Sequence, residues 1–238
     1  MIVNNLKHIA LFKGCGPAFF DELEAHAQLQ SYQKGKIMFI NGEPAERFYF
    51  IKSGWVKLFR ETLDGTQAVV DILTAGHIFG ETSIFEDDAY PYSAEIVGSS
   101  QIMVLPNSVL KTEIENNNKL ALNMLSFMAR CRRQQDKEIE HLSIQNASQR
   151  IGCFLLRLTN QESAGAVTIR LPYDKTLVAS RLGMQPETFS RALAKLRDKT
   201  GIRVNGATVE VDNLEQLSIY SCAACSSEFP CKNLMVAE

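Results

Sequence analysis

The stretch LVASRLGMQPETFSR, residues Leu177 to Arg191, decides the fold of the C-terminal part of this chain. Its apolar pattern predicts two short helices, Asp174–Leu182 and Pro186–Lys199, joined by a tight turn at Gly183-Met184-Gln185. Pro186 suits the first turn of a helix, where its missing N–H is not needed. Two helices joined in this way are typical of a helix-turn-helix, which places its second helix in the major groove of DNA.

Polar side chains share one face of the second predicted helix. Glu187, Ser190 and Arg191 lie three and four residues apart, whereas Phe189 and Leu193 fall on the opposite face. Arg can bind guanine through O6 and N7, and Glu can accept a hydrogen bond from N4 of cytosine. The pattern therefore predicts that this helix reads base edges. The predicted DNA-reading residues are Gln185, Glu187, Thr188, Ser190 and Arg191.

A hairpin over Ile202–Val211, with its turn at Asn205-Gly206, follows as a wing. Residues 174–206 contain seven Lys or Arg and three Asp or Glu, although the net charge of the whole chain is −2. Such a local excess attracts DNA phosphates. The alternative is an amphipathic helix with a solvated face. A helix, a turn, a second helix and a wing in succession favour DNA binding.

Between residues 32 and 106 the sequence consists of short β-rich runs separated by turn signals such as Asn41-Gly42 and Asp64-Gly65. Many short strands with this punctuation predict an antiparallel sandwich or jelly roll. The expected fold class is therefore α+β, with an N-terminal jelly roll and a C-terminal winged helix-turn-helix. The predicted strands are Phe48–Ile51, Trp55–Phe59, Ala68–Leu73 and Gln101–Leu105.

A long helix is predicted between these two parts, because Lys119–Asn146 contains no Gly or Pro. Apolar or small residues stand at most positions of an alternating four- and three-residue spacing, with Arg132 and Gln135 at the middle steps, and this spacing is typical of a coiled-coil seam. We expect this helix to pair with its copy in a parallel homodimer; the alternative is a helix packed on its own barrel. The predicted interface residues are Leu125, Met128, Ile139 and Leu142.

The bulk properties are those of a globular protein, with 238 residues of which 45% are hydrophobic. Met1–Phe12 does not resemble a signal peptide, and no run approaches the roughly 20 apolar residues of a membrane helix. We therefore expect a cytoplasmic protein with no membrane partner. We find no convergent nucleophile, base and open metal site, so an enzyme is not expected. The predicted domains are 1–116 (sensor), 117–146 (dimerisation helix), 147–217 (DNA binding) and 218–238 (cysteine-containing tail).

Several motifs resemble those of the CRP/FNR transcription regulators. Ile40–Pro44, Phe48–Gly54 and Gly76–Glu81 are similar to their barrel, and Leu177–Arg191 is similar to their helix-turn-helix. The similarity is closest to the FNR/DNR branch, whose members respond to oxygen or nitrogen oxides. It implies a homodimeric regulator that reads TTGAT-like palindromic half-sites in double-stranded DNA. It also implies a transcription activator that works with RNA polymerase.

The resemblance also identifies a departure in the barrel. In the cyclic-AMP-binding members the nucleotide cradle ends in Arg-Ser-Ala, whereas this chain has Tyr92-Ser93-Ala94 after Phe79-Gly80-Glu81. A tyrosine supplies neither the positive charge nor the bidentate fork that holds the cyclic phosphate. Asp87, Asp88 and Glu81 would add repulsion. No cyclic AMP binding is therefore expected.

Three cysteines near the C-terminus, Cys222, Cys225 and Cys231, have the spacing C-x2-C-x5-C. Three thiolates within ten residues can bind one soft metal centre. A Gram-positive branch of the family is similar, with C-x2-C-x4-C holding an iron–sulfur cluster and a carboxylate from the dimer helix as fourth ligand. Alignment places His141 near that carboxylate position. A zinc site or thiol–disulfide sensing would use the same three cysteines. The remaining alternative is a tail in which these cysteines have no function.

The other cysteines and the scattered histidines are also candidate ligands. Cys131 and Cys153 are predicted to be small buried residues rather than metal ligands. The nitric-oxide regulators of the resembling branch are thought to use haem, so a histidine could serve as an axial ligand. A haem-dependent regulator with a non-sensory cysteine tail is therefore the alternative function. The scattered histidines are His8, His26 and His77.

Overall fold

The computed structural model describes residues 6–85, 88–159, 166–171 and 175–225. The chain divides into two compact units, Met1–Ala129 and Arg130–Ala237. One long helix begins in the first unit and ends in the second. Among the residues that the structure describes, no helix is both long enough and apolar enough to cross a membrane.

The first unit contains an eight-stranded β-structure flanked by helices. A 3-10 turn at Ala10–Phe12 precedes it, and helix α3 (Asn118–Ile144) leaves it. Its other elements are α1 (Pro17–His26), β1 (Gln28–Tyr32), β2 (Ile37–Phe39), β3 (Arg47–Ser53), β4 (Trp55–Glu61), β5 (Gln67–Thr74), β6 (Ile78–Phe79), β7 (Ser93–Ile96), β8 (Ser100–Pro106) and α2 (Asn107–Asn116).

The strands form two four-stranded antiparallel sheets, with orders β1-β8-β3-β6 and β2-β7-β4-β5. This confirms the predicted sandwich, and the four predicted strands correspond to β3, β4, β5 and β8. The other four strands were not predicted. Two of them, β2 and β6, have only three and two residues, which is too short for an alternating pattern to stand out.

Strand β3 is buried on both of its faces. Tyr49 and Ile51 belong to the core between the two sheets, whereas Phe48 and Phe50 belong to a second core that includes α1 residues. Since successive side chains of a strand point to opposite faces, two cores require a continuous apolar run. The run Phe48–Ile51 is therefore a signature of a strand covered on both sides.

The second unit is a small α+β fold that contains the predicted helix-turn-helix and wing. The described part of this unit contains a three-stranded sheet of order β10-β11-β9 and four helices, of which α4 packs on α6 and α7. Its elements are α4 (Ala147–Arg157), β9 (Val167–Arg170), α5 (Lys175–Arg181), α6 (Pro186–Thr200), β10 (Arg203–Asn205), β11 (Thr208–Val211) and α7 (Leu214–Cys222). Strand β9 was not predicted.

The structure corrects two predicted boundaries in this unit. Asn205 pairs with Thr208, so the wing turns at Gly206 and Ala207 rather than at Asn205-Gly206. Gly206 supplies the positive φ of 61° that such a turn needs. The predicted start of a separate tail at residue 218 falls inside α7, which extends to Cys222 and packs on α4.

Candidate DNA-reading surface and cysteine–histidine site

Helix α6 presents a polar face at its N-terminal end. Gln185 is the N-cap residue and Pro186 occupies the first turn. Glu187, Ser190 and Arg191 are exposed, and Thr188 and Gln185 lie beside them in the sequence. The opposite face is anchored, because Phe189 and Leu196 are 2% and 0% exposed. The burial pattern thus leaves the predicted reading side chains accessible.

The turn before α6 is closed by backbone hydrogen bonds. Met184 N–H donates to the Ala179 carbonyl at 3.0 Å, and Gly183 N–H donates to Ser180 at 3.1 Å. Gly183 has a φ of 63°, which a residue with a Cβ rarely adopts. Helix α5 is held from below by Val178 and Ala179, both fully buried. The relative orientation of helices α5 and α6 is therefore fixed by the hydrogen-bonded turn and by the buried residues beneath α5.

Ion pairs occupy some of the basic side chains that the sequence assigns to phosphate attraction. Arg203 binds Glu210 and Asp212, and Arg197 contacts Asp198. Arg191, Lys195 and Lys199 are exposed, and the part of the chain that the structure describes supplies no ion pair for them. The cationic surface of this unit is therefore narrower than the count of seven basic residues indicates. The exposed cations of α6 are Arg191, Lys195, Arg197 and Lys199.

A carboxylate joins three helices of the second unit. Glu138 on α3 accepts two hydrogen bonds from Arg181 of α5, at 2.5 and 3.1 Å, and one from Arg157 of α4 at 3.3 Å. Burial raises the pKa of Glu138, but Arg181 and Arg157 outweigh this effect and hold the pKa below its ordinary value. We name these three residues the Glu138 cluster. Sequence reasoning missed it, because its members are 19 and 43 residues apart.

One turn further along α3, His141 lies between two cysteines of the same unit. Its Nε2 is 3.5 Å from Sγ of Cys225, and its Nδ1 is 4.0 Å from Sγ of Cys153. His141 is only 7% exposed. Burial lowers its pKa, and Arg157 and Lys137 lower it further. The neutral imidazole, which is the metal-binding form, is therefore favoured.

The segment that carries Cys222 and Cys225 is anchored to α4 and to the end of α3. Gln149 Nε2 donates to the Tyr220 carbonyl at 3.4 Å, and Gln145 Nε2 donates to the Ser221 carbonyl at 3.3 Å. Gly152 allows this close approach, since a Cβ there would lie 2.0 Å from Oγ of Ser221. The last turn of α7 is thus held by specific contacts.

The structure brings two of the four predicted metal ligands into contact. His141 and Cys225 are in contact, Cys222 is the last residue of α7, and Cys231 lies outside the described residues. Within the described ranges, no group of three His, Cys, Asp or Glu side chains is arranged to hold a metal ion. Cys153 is buried as predicted, but the prediction was wrong for Cys131, which is exposed. Cys131 lies on a helix face that the protomer does not cover.

Aromatic side chains fill the interior of the sandwich in the first unit. Phe39 stacks on Tyr90 with ring centroids 3.7 Å apart, and Tyr49 stacks on Phe79 at 4.9 Å. Tyr92 packs against this cluster at 6.1 Å from Phe39. The Tyr92 hydroxyl accepts a hydrogen bond from Gly80 N–H at 3.4 Å. The position at which the cyclic-AMP-binding members carry arginine is therefore occupied by a partly buried tyrosine that packs against the core.

Glu81 and Asp88, which were expected to repel a cyclic phosphate near Tyr92, do not both carry a free negative charge. Glu81 is only 4% exposed, and burial raises its pKa to about 7. Asp88 forms an ion pair with Lys111 at 3.2 Å, so its charge is compensated. Asp87 lies outside the described residues. The repulsion predicted from these carboxylates is therefore weaker than expected, and Tyr92 is the remaining feature that disfavours a cyclic phosphate.

Helix α3 exposes large apolar side chains along much of its length. Leu125, Met128, Ile139 and Leu142 are 63%, 40%, 61% and 53% exposed. Leu125 and Met128 are three residues apart, as are Ile139 and Leu142, and the polar residues Arg132 and Gln135 stand at the coiled-coil seam positions between the two pairs. These exposed apolar side chains form a candidate contact surface on α3.

Comparison with known proteins agrees with this arrangement. Residues 29–117 match the cyclic nucleotide-binding domain family, and residues 149–220 match the Crp-like helix-turn-helix domain family. The cyclic AMP receptor protein of Thermus thermophilus is 30% identical over 206 residues, which cover 87% of this chain and 94% of that protein.

Two solved structures are similar to this chain over most of its length. A protein from Ruegeria pomeroyi DSS-3 is 33% identical, with a TM-score of 0.68, and the match covers 93% of this chain and 99% of that one. DNR from Pseudomonas aeruginosa is 32% identical, with a TM-score of 0.52, over 91% of this chain and 96% of that one. The similarity therefore spans both units.

Proposed function

Because this chain belongs to the CRP/FNR family of transcription regulators, we propose that it binds palindromic double-stranded DNA as a homodimer and reads TTGAT-like half-sites through α6. The observation that carries the proposal is the exposed row of Glu187, Ser190 and Arg191 over a buried apolar face. The known relatives are transcription regulators and not enzymes. Such a role places the protein in the cytoplasm, with RNA polymerase as its partner at the promoter.

The chemistry of the reading residues supports this assignment. Arg191 can form two hydrogen bonds to guanine O6 and N7, and Glu187 can accept from cytosine N4. The Ser190 hydroxyl donates to the Pro186 carbonyl at 3.0 Å, so its oxygen keeps acceptor capacity toward a base or phosphate. Gln185 and Thr188 flank these groups at the start of the helix. One helix terminus thus offers both donors and acceptors to base edges.

The apolar row of α3 supports a parallel dimer. In a protomer alone, Leu125, Met128, Ile139 and Leu142 would remain in water. Pairing with a second copy would bury them, at roughly 25 cal/mol per Å² of apolar surface. Two-fold symmetry then matches the symmetry of a palindromic operator.

We propose that a metal centre at the C-terminal cysteines gates DNA binding in response to oxygen or nitric oxide. Cys222, Cys225 and Cys231 would supply thiolates, and His141 would supply the fourth ligand. The chemistry of the contacts fits this role, because a buried histidine nitrogen lies beside Cys225, and Cys222 ends the anchored helix α7 three residues before Cys225. The bound metal would hold these elements together. An iron–sulfur cluster and a single metal ion would use the same ligands.

A DNA-binding measurement tests the proposed reading function. Full-length protein is titrated onto a duplex with two inverted TTGAT half-sites and onto a duplex of scrambled sequence, at one fixed salt concentration. We expect the inverted repeat to bind at least about 1,000-fold more tightly, as is typical of specific regulators. Equal affinity for both duplexes would reject the assignment.

We further propose that the barrel does not bind cyclic AMP at micromolar concentration. Tyr92 occupies the phosphate-gripping position and is packed against the aromatic core, so a cyclic phosphate would find no cationic partner there. Isothermal titration calorimetry with cyclic AMP should show no binding heat. Micromolar binding, or a change in DNA affinity on addition of cyclic AMP, would overturn this proposal.

A further inference from the structure

Within the second unit, helix α3 carries two contact surfaces that lie side by side. Ile139 and Leu142 are exposed and belong to the apolar row that the proposed dimer would cover. Glu138 precedes Ile139 by one residue, which is about 100° around a helix, and it contacts helices of its own protomer. This stretch of α3 would therefore join the partner copy on one side to the DNA-binding helices on the other.

Glu138 binds two of those helices at once. Its carboxylate accepts hydrogen bonds from Nη1 and Nη2 of Arg181 on α5, at 3.1 and 2.5 Å, and from Nη1 of Arg157 on α4 at 3.3 Å. The three side chains are 16–25% exposed, so solvent and salt screen the cluster only in part. A carboxylate and a guanidinium joined by two hydrogen bonds have a defined mutual orientation. The cluster thus restrains where α4 and α5 lie relative to α3.

The turn of the helix-turn-helix contacts α3 at a second point. Cδ2 of Leu142 lies 3.5 Å from the position that a Cβ on Gly183 would occupy, which is van der Waals distance. Leu142 follows Glu138 by four residues, so both side chains lie on the same side of α3. Arg181 ends α5, and Gly183 follows it by two residues. Two contacts one turn apart on α3 therefore fix the end of α5 in direction as well as in position.

Both helices that Glu138 holds support the reading helix α6. Oγ of Ser148 on α4 donates a hydrogen bond to the Ala192 carbonyl of α6 at 3.0 Å. Helix α5 packs against α6 and is joined to it by the hydrogen-bonded turn at Gly183. The position of α6 relative to α3 therefore depends on the Glu138 cluster.

In a two-fold dimer, the position of α6 relative to α3 decides how far apart the two reading helices lie. A dimeric helix-turn-helix protein binds half-sites whose separation matches that distance. One base pair moves a half-site by about 3.4 Å along the DNA axis and rotates it by about 35°. A small change in the direction of α6 would therefore mismatch the reading helices and the half-sites.

We propose that the Glu138 cluster is the positioning group that selects the spacing between the two half-sites, whereas Glu187, Ser190 and Arg191 select their sequence. This inference rests on the proposed binding of a palindrome by a homodimer. It gives the cluster a role in specificity that is separate from base contacts. Loss of the cluster should leave base reading within one half-site intact and relax the choice of spacer.

Affinity measured over a series of spacers tests the proposal. Full-length parent protein and Glu138→Ala are titrated onto duplexes whose two inverted TTGAT half-sites are separated by spacers that increase by one base pair, at one fixed salt concentration. The parent should bind one spacer best and its neighbours about 5- to 150-fold more weakly, comparable with the loss of one base contact. Glu138→Ala should reduce this ratio or shift the optimum by a base pair. Replacing the guanine of a half-site should weaken parent and variant by the same factor.

Matched variants separate positioning from general stability. Asp136→Asn removes an exposed carboxylate from the same helix and should leave the spacer profile unchanged. Arg181→Lys keeps the positive charge but loses the two-bonded fork, so it should flatten the profile in the same direction even if Glu138→Ala does not fold. A profile of the parent's shape in the cluster variants, including a uniform loss on every duplex, would overturn the proposal.

The parent protein separates this inference from the proposed function. If it prefers the inverted repeat over a scrambled duplex but binds all spacers alike, the spacing role is overturned and DNA reading stands. If it binds the inverted repeat and the scrambled duplex equally, both are overturned.

Discussion

At the scale of single residues, the reading surface depends on a few side chains that the fold leaves exposed. Phe189 anchors α6 from below, while Arg191 projects from the opposite face. Arg191 is also the exposed cation nearest to the start of the helix, where base edges are reached. Lys199, two turns further on, lies at the other end of the same helix. We therefore expect the two cations to make different classes of DNA contact, Arg191 to bases and Lys199 to phosphates.

Replacing Arg191→Ala should cost about 1–3 kcal/mol of binding free energy on the cognate palindrome and relax preference at one guanine, because a bidentate base contact is lost. Fluorescence anisotropy on cognate and scrambled duplexes measures both effects. Lys199→Ala is the control and should weaken both duplexes alike, with a flatter salt dependence. An equal loss on both duplexes for Arg191→Ala would contradict a base-reading role.

At the scale of secondary-structure elements, α3 serves two functions on different faces. One face carries the exposed apolar row, and another carries Glu138 and His141, which contact α4, α5 and the segment after α7. The N-terminal part of the same helix is buried through Leu120 and Met124. A single long helix thus contributes to two cores and presents one uncovered surface.

A charge placed in the apolar row should disrupt the dimer. Met128→Glu would bury an unpaired carboxylate between two helices, at a cost of several kcal/mol. Sedimentation equilibrium should show a shift from dimer to monomer. Ser126→Glu adds the same charge at an exposed position off the row and should leave the dimer intact. A dimer that persists in Met128→Glu would place the interface elsewhere.

The Glu138 cluster should contribute an acid-labile part of the stability of the second unit. The folded-state pKa of Glu138 is held below its ordinary value of 4.5. The stabilisation is therefore present above that ordinary value and is lost as the pH falls through the lowered pKa. Thermal denaturation between pH 6 and pH 3 should show this loss in the parent protein and a smaller loss in Glu138→Gln.

Removing the positive partner, Arg181, tests whether the Glu138 cluster stabilises the protein through its ion pair. Arg181→Leu leaves the partly buried carboxylate with only Arg157, so we expect a destabilisation of up to about 3–5 kcal/mol. Exchanging the two charges, Glu138→Arg with Arg181→Glu, should recover part of it. If the pH profiles of parent and Glu138→Gln coincide, the ion pair does not contribute in this range.

At the scale of the whole molecule, the DNA-reading surface and the cysteine–histidine site belong to the same compact unit, residues 130–237. The path from one to the other is short. His141 contacts Cys225, and Glu138, one turn before it on α3, binds Arg181 of the helix-turn-helix. A change at the cysteines can therefore reach the reading helices through α3 within this unit.

If the cysteine segment holds the proposed sensor, removing its thiols should change DNA affinity by about 5- to 150-fold, which corresponds to a coupling of about 1–3 kcal/mol. The variant for this test is Cys222→Ser with Cys225→Ser, since truncation at residue 220 would cut α7 and remove the buried Ser221. Anaerobic protein is compared before and after exposure to air, with Cys131→Ser as control. Equal affinity in all samples would show that the cysteine segment is not the sensor.

The sequence alone was sufficient for the fold class, for the second helix of the reading motif and for the apolar row of α3. These features are local: helical periodicity, Gly and Pro at turns, and residues three or four positions apart are visible without tertiary contacts. The strands β2 and β6 were not predicted, because two or three residues are too few to show an alternating apolar pattern. The spacing of Cys222 and Cys225 was visible for the same local reason.

Only the tertiary structure decided which distant residues meet. Glu138 and Arg181 are 43 positions apart, and His141 and Cys225 are 84 apart, so no periodicity connects them. The contact between Cys153 of α4 and His141 of α3 likewise depends on how the two helices pack, which the sequence does not display. Local interactions determine the elements, whereas the contacts that bring the His141–Cys225 pair and the Glu138 cluster onto one helix arise only when the elements pack.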